Sequence, residues 1–218
     1  MAMVTAYKHA LPVITPEEYL AQETFAQEKH EYYAGAMLPM AGASINHNYI
    51  VGNLYFLLRV ALKEKEYIPF TTDIRLWIPS RNAYTYPDVL VVAGVPQCYH
   101  ERSDTITNPI MIVEVLSETT SQYDRGEKFI GFRTIPTLRD YLLVDQARCL
   151  VEQFTRVGEH KWLLTEYHEM DQVVELSFDA SLHLSLRDIY ERVVFPPAPE
   201  HQHSRETESD EQVEEREG

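Results

Sequence analysis

Apolar residues recur along this chain first at helical spacing, then in short unbroken runs, and finally in loose alternation. The helical part opens at Thr15-Pro16-Glu17-Glu18. A hydroxyl cap, a proline at the first helical position and two acids there suit the positive end of a helix dipole. This pattern predicts helix to about Lys29. Residues 30–40 predict a short hairpin turning at Ala34-Gly35. Ser44 can cap a second helix reaching about Lys65, with Ile50, Leu54, Leu57, Leu58, Ala61 and Leu62 on one apolar face.

The rhythm then shortens. Residues 67–78 alternate imperfectly, 84–92 are β-branched and aromatic, and 110–116 are almost wholly apolar. Runs of the last kind suit strands buried on both faces beneath covering helices. Asp124-x-x-Glu127 has the form of a cap for a helix ending before Pro136. Residues 141–145 predict another buried strand, and 149–157, 161–167 and 173–178 a meander, followed by a short helix over 186–192. Helix, helix, strands, helix, strands predicts one α/β domain over residues 15–195, a mixed sheet flanked by helices. Residues 1–14 are an N-terminal extension on this reading, and 196–218 an acidic, disordered tail.

Composition narrows the choices. With 218 residues and 44% hydrophobic content the chain can bury one good core. No apolar run approaches the roughly 20 residues that span a bilayer, and the start lacks the apolar stretch of a secretory signal. Cys98 and Cys149 form no CxxC pair, which argues against a disulfide framework or zinc ribbon and makes a reducing cytoplasm the expected compartment. Net charge is −15; residues 196–218 hold eight acids and two bases, hence −6, leaving −9 for the remainder. That excess opposes a non-specific grip on phosphates, so a nucleic acid would have to meet a local basic patch.

Three positions carry the candidate chemistry. Asp88 follows Pro87 and precedes Val-Leu-Val-Val, where an acid is costly unless it finds a partner. Glu114 lies inside Pro109-Ile-Met-Ile-Val-Glu-Val-Leu-Ser117, so its carboxylate must be neutral, salt-bridged or metal-bound. Lys128 stands four residues after Asp124 on the predicted helix. Two carboxylates on neighbouring strands can hold a hard divalent cation, and a nearby ammonium can hold an anionic oxygen against it. Structural alternatives stay open for each: an exposed strand-end acid at Asp88, a Glu–Arg pair between Glu114 and Arg75 or Arg133, and a solvated i,i+4 pair between Asp124 and Lys128. Glu31 reads as an acid just past a helix, and His47 and Asn48 as surface groups at a helix start. HExxH, GxSxG and a complete P-loop are all missing from the sequence.

In order, His30-Glu-Tyr-Tyr-Ala-Gly35, Met40-Ala-Gly-Ala-Ser-Ile-Asn-His47, Tyr86-Pro-Asp-Val-Leu-Val-Val92, Ile112-Val-Glu-Val-Leu-Ser-Glu-Thr-Thr120, Tyr123-Asp-Arg-Gly-Glu-Lys128 and Leu138-Arg-Asp-Tyr-Leu-Leu-Val-Asp145 resemble the Uma-type restriction endonuclease family. This is a branch of the PD-(D/E)XK nuclease superfamily, and the resemblance runs from about Thr15 to Val194. It implies a restriction-endonuclease-like mixed sheet and a metal-dependent endonuclease acting on DNA, with Mg²⁺ as cofactor and Mn²⁺ as substitute. On that pattern Asp88 and Glu114 would ligate the cation, the main-chain oxygen of Val115 would add a ligand, and Glu31 and Asp124 would support. The superfamily signature has lysine two residues after the second acid; here that position is Leu116, and Lys128 stands as a migrated replacement. The competing expectation is a decayed nuclease fold serving as a dimeric interaction module. Under either reading a homodimer is expected, since two-fold symmetry suits two strands.

Overall fold

The computed structural model describes residues 13–40 and 42–197. Most of the expected N-terminal extension and acidic tail therefore lies outside the described residues. In chain order the elements are α1 (Pro16–Glu23), β1 (His30–Tyr33), β2 (Ala36–Pro39), α2 (Ile45–Ala61), β3 (Tyr67–Thr71), β4 (Arg75–Ile78), β5 (Ala83–Thr85), β6 (Val89–Ala93), β7 (Thr105–Ile106) and β8 (Pro109–Leu116). Then come α3 (Ser121–Tyr123), a π-helical turn (Asp124–Lys128), α4 (Phe129–Phe132), β9 (Asp140–Asp145), β10 (Val151–Gly158), β11 (Lys161–Tyr167), β12 (Val173–Glu175), β13 (His183–Ser185) and α5 (Leu186–Ile189). Short 3₁₀ turns at Pro79–Arg81 and Tyr99–Glu101 complete the path. Among the described residues no helix is long and apolar enough to cross a membrane.

Both helix starts follow their capping chemistry. Thr15 Oγ1 accepts from Glu18 N at 3.2 Å while Glu18 Oε2 accepts from Thr15 N at 2.7 Å, a reciprocal box. Ser44 Oγ accepts from His47 N at 3.1 Å. The first helix is shorter than its pattern predicts: it stops at Glu23, where the Thr24 hydroxyl takes the Leu20 carbonyl at 2.7 Å. The β1–β2 hairpin turns at Ala34 and Gly35, both with positive φ (46° and 100°), as a tight two-residue connection requires. A Cβ at Gly35 would lie 2.6 Å from Val13 Cγ1, so a side chain there would have to displace Val13.

Two predicted single strands are each divided between two sheets. Residues 67–78 become β3 and β4, and 84–92 become β5 and β6. A five-stranded sheet has order β2-β1-β5-β4-β7, and a six-stranded sheet has order β11-β10-β9-β8-β6-β3. The chain changes sheets at Tyr86-Pro87-Asp88, where proline removes a ladder donor and restricts the residue before it. Pro69 is tolerated because β3 is an edge strand. The predicted meander holds for β10 and β11, but β12 pairs with β13 instead of extending the sheet.

The six-stranded sheet is mixed: β8 and β9 run parallel, and its other pairs are antiparallel. Residue parity sorts its faces. Val89, Val91, Met111, Val113, Val115, Leu142 and Val144 pack with Ile50, Leu54 and Leu58 of α2 on one side. Leu90, Val92, Ile112, Leu116, Tyr141 and Leu143 pack with Phe132, Ile135 and the five-stranded sheet on the other. Each fully buried aliphatic contributes about 1.5–3 kcal/mol. Glu114 shares parity with Ile112 and Leu116 and therefore faces the second, π-turn side.

Candidate active site

β6 and β8 pair antiparallel with Val89 opposite Val113, so one step further Asp88 stands opposite Glu114. The first acid is fixed by backbone: Val115 N donates to Asp88 Oδ2 at 2.7 Å. The same oxygen lies 3.2 Å from His47 Nε2, at the start of α2. The second acid is fixed by charge. Lys128 Nζ donates to Glu114 Oε1 at 3.1 Å, and stands 3.3 Å from Glu31 Oε1 and 3.2 Å from Asp124 Oδ1. Glu114 is 3% exposed and Asp124 2%.

The π turn accounts for this gathering. One extra residue in a helical turn shifts the faces of the side chains around it, and such bulges recur at functional sites. Here Asp124 and Lys128 point inward. Arg125 Nε reaches Glu152 Oε2 on β10 at 2.8 Å, with a second bond from Nη2. Glu127 Oε2 accepts from Arg81 at 2.5 Å and from the Tyr33 hydroxyl at 3.2 Å. The Asp124 carbonyl accepts from the buried Tyr141 hydroxyl at 3.0 Å, and Phe129 stacks on the Tyr141 ring. Clamped on three sides, the turn holds its ammonium against the strand-borne acid. Glu31 arrives from β1, where alternation sends Tyr32 into the aromatic cluster beneath α1 and Glu31 to the opposite face.

Several residues differ from their sequence-based reading. Asp124 is no helix cap: helix starts at Ser121, leaving Asp124 buried within the following turn. Its pair with Lys128 is buried, not solvated. Glu114 pairs with Lys128, not with Arg75, which is bound to Asp104, nor with Arg133, which is exposed. His47, expected at the surface, faces Asp88, whereas Asn48 does remain exposed and only returns to the Ser44 carbonyl at 2.9 Å. Val115 meets Asp88 through its N–H.

Electrostatics make the cluster hungry for positive charge. Burial raises the Glu114 carboxyl well above the usual carboxylate range; Lys128 opposes this, while Asp124, Asp88 and Glu31 reinforce it. For Lys128 burial alone would favour loss of the proton, but Glu114, Glu31 and Asp124 together raise it well above the usual lysine value. Glu31 Oε1 and Asp124 Oδ1 are buried and meet the Lys128 ammonium as ion pairs at 3.3 and 3.2 Å, without the geometry of a hydrogen bond. Among the described residues no group of three or more His, Cys, Asp or Glu side chains is placed to hold a metal ion. A small hard cation does not need one, since Mg²⁺ commonly takes one or two carboxylates and completes its shell with water and substrate phosphate. Asp88 and Glu114, facing each other across β6 and β8, are oxygen donors of the kind such an ion takes.

Comparison with known proteins agrees with this architecture. An uncharacterized protein, sll1609, of Synechocystis sp. is 42% identical over 166 residues, covering 76% of this chain and 94% of the relative. A second, slr1290 of the same organism, is 35% identical over 164 residues, covering 74% and 84%. The crystal structure of a "putative nuclease belonging to DUF820" from Anabaena variabilis superposes with a TM-score of 0.69 over 83% of this chain and 99% of that one. At 19% identity, that likeness shows the shared restriction-endonuclease-like fold. Residues 16–187 match the Uma2 family, described as "Putative restriction endonuclease", and the chain belongs to that family.

Proposed function

We propose that the protein is a Mg²⁺-dependent endonuclease that hydrolyses phosphodiester bonds of DNA. What supports this reading is Asp88 standing opposite Glu114 across β6 and β8, with Lys128 Nζ 3.1 Å from Glu114 Oε1. Asp88 and Glu114 would hold the ion, which when bound supplies a Lewis acid to polarise the phosphoryl oxygens. Lys128 orients the attacking water and offsets negative charge that builds on the phosphate. Glu31 and Asp124 keep the lysine charged and directed. The contact of Lys128 with Glu114, made although Leu116 occupies the signature lysine's place, favours turnover over a purely interactive role.

Family membership and the nuclease-like neighbour support the chemistry class. Cutting both strands of a duplex is served by two copies related by a two-fold, and a homodimer is the assembly we favour. The test is nicking of supercoiled plasmid with Mg²⁺ by the native chain, Asp88→Ala and Glu114→Ala. Nicking by the native protein alone is expected, with loss of at least about 100-fold in each variant. Equal activity in all three would remove the proposed site.

A further inference from the structure

We infer that His47 is a positioning residue for Asp88, setting which carboxylate oxygen faces the cation. The inference rests on the reading of Asp88 and Glu114 as a cation site. Asp88 Oδ2 is engaged from two directions, by Val115 N at 2.7 Å and by His47 Nε2 at 3.2 Å. With both contacts on Oδ2, the other oxygen, Oδ1, is left for a ligand. A single N–H would leave the carboxylate free to rotate about its last bond; a second group on the same oxygen from another element removes that freedom.

The placement of His47 is well determined. Its own backbone N–H is committed to the Ser44 cap at 3.1 Å, and α2 is anchored on the sheet by Ile50, Leu54 and Leu58. Asn46 beside it ties the helix start to the carbonyls of Gln146 and Val194 at 3.2 and 2.9 Å. The imidazole is 16% exposed and the Asp88 side chain 15%, so the contact is shielded yet open at one edge. Other carboxylates of the site, Glu31, Glu114 and Asp124, belong to Lys128; Asp88 is the one His47 touches. With a proton on Nε2 the imidazole attracts Oδ2 in the manner of outer groups that orient metal ligands, whose removal typically costs 10–100-fold in metal affinity.

The test is calorimetric titration of Mn²⁺ into the full chain, comparing native, His47→Ala, His47→Leu, His47→Gln and Asp88→Ala, with urea unfolding in metal-free buffer for each. Expected is a weakening of about 10–100-fold in His47→Ala and His47→Leu. His47→Gln, which keeps an N–H donor, should return to within about threefold of native, and Asp88→Ala should abolish binding. A merely structural role would shift unfolding without that recovery. If His47→Ala does not fold, the Leu and Gln pair decides. Native affinity in the Ala and Leu variants overturns the inference while leaving the cation site standing. Equal loss in Gln and Ala also overturns it, making His47 a direct ligand. Binding that survives Asp88→Ala, or no binding by the native chain, overturns the site and the inference together.

Discussion

Lys128 is the residue on which charge balance at the site turns. Among the described residues its ammonium is the one cation within contact distance of Glu31, Glu114 and Asp124. Breaking a buried ion pair by deleting one partner costs about 3–5 kcal/mol, because the charges left behind are uncompensated. Lys128→Met should therefore lower stability by about that much in metal-free buffer, measured by urea unfolding. Added Mg²⁺ should recover more of the loss than it adds to the native protein. A loss below about 1 kcal/mol, the scale of an exposed pair, would show that the cluster is solvated. In the sequence Glu114 stood out as an acid inside an apolar run. Asp88 and Lys128 each had an ordinary structural reading and became candidates through their order along the chain and the family resemblance. His47 was not legible, because its partner lies 41 positions away and no spacing rule links a helix start to a strand entry. Its only signal was membership of the Met40–His47 run that carries the family resemblance.

At the scale of elements, helices and buried strands could be read because their apolar periods are strong. The division of 67–78 and 84–92 between sheets could not, since a strand that leaves one sheet and enters another keeps its composition and loses only its partner. The π turn was equally hidden: Asp124-x-x-Glu127 has the letters of a cap, and only the clamps from Glu152, Arg81 and Tyr141 disclose the wider turn. One tie between elements has a pH signature. Lys65, just past α2, donates to Asp179 Oδ2 at 2.6 Å, and Ser181 caps the other oxygen through N at 3.0 Å and Oγ at 2.7 Å. Lys65 first, then Ser181, hold the Asp179 carboxyl down to about 2 from 3.8. A depressed folded value adds stability above the unfolded value that is lost as pH falls through the folded one. The stability advantage of native over Asp179→Asn should thus be constant above pH about 5 and shrink between about 4 and about 2. A difference that persists unchanged at pH 2 would contradict the assignment.

For the whole molecule, the sheet change at Tyr86-Pro87-Asp88 joins fold to chemistry. It delivers Asp88 to the end of the six-stranded sheet, opposite Glu114, while the five-stranded sheet contributes Glu31 from the far side. Net charge of −15 remains unfavourable for broad contact with a polyanion, so a cation at the acids would both perform chemistry and reduce local repulsion. The most direct measurement is anomalous scattering from crystals soaked in Mn²⁺. The account predicts one strong peak within about 2.3 Å of carboxylate oxygens from both Asp88 and Glu114, with Lys128 Nζ beside it but not coordinated. A peak elsewhere, or none at saturating Mn²⁺, would contradict it.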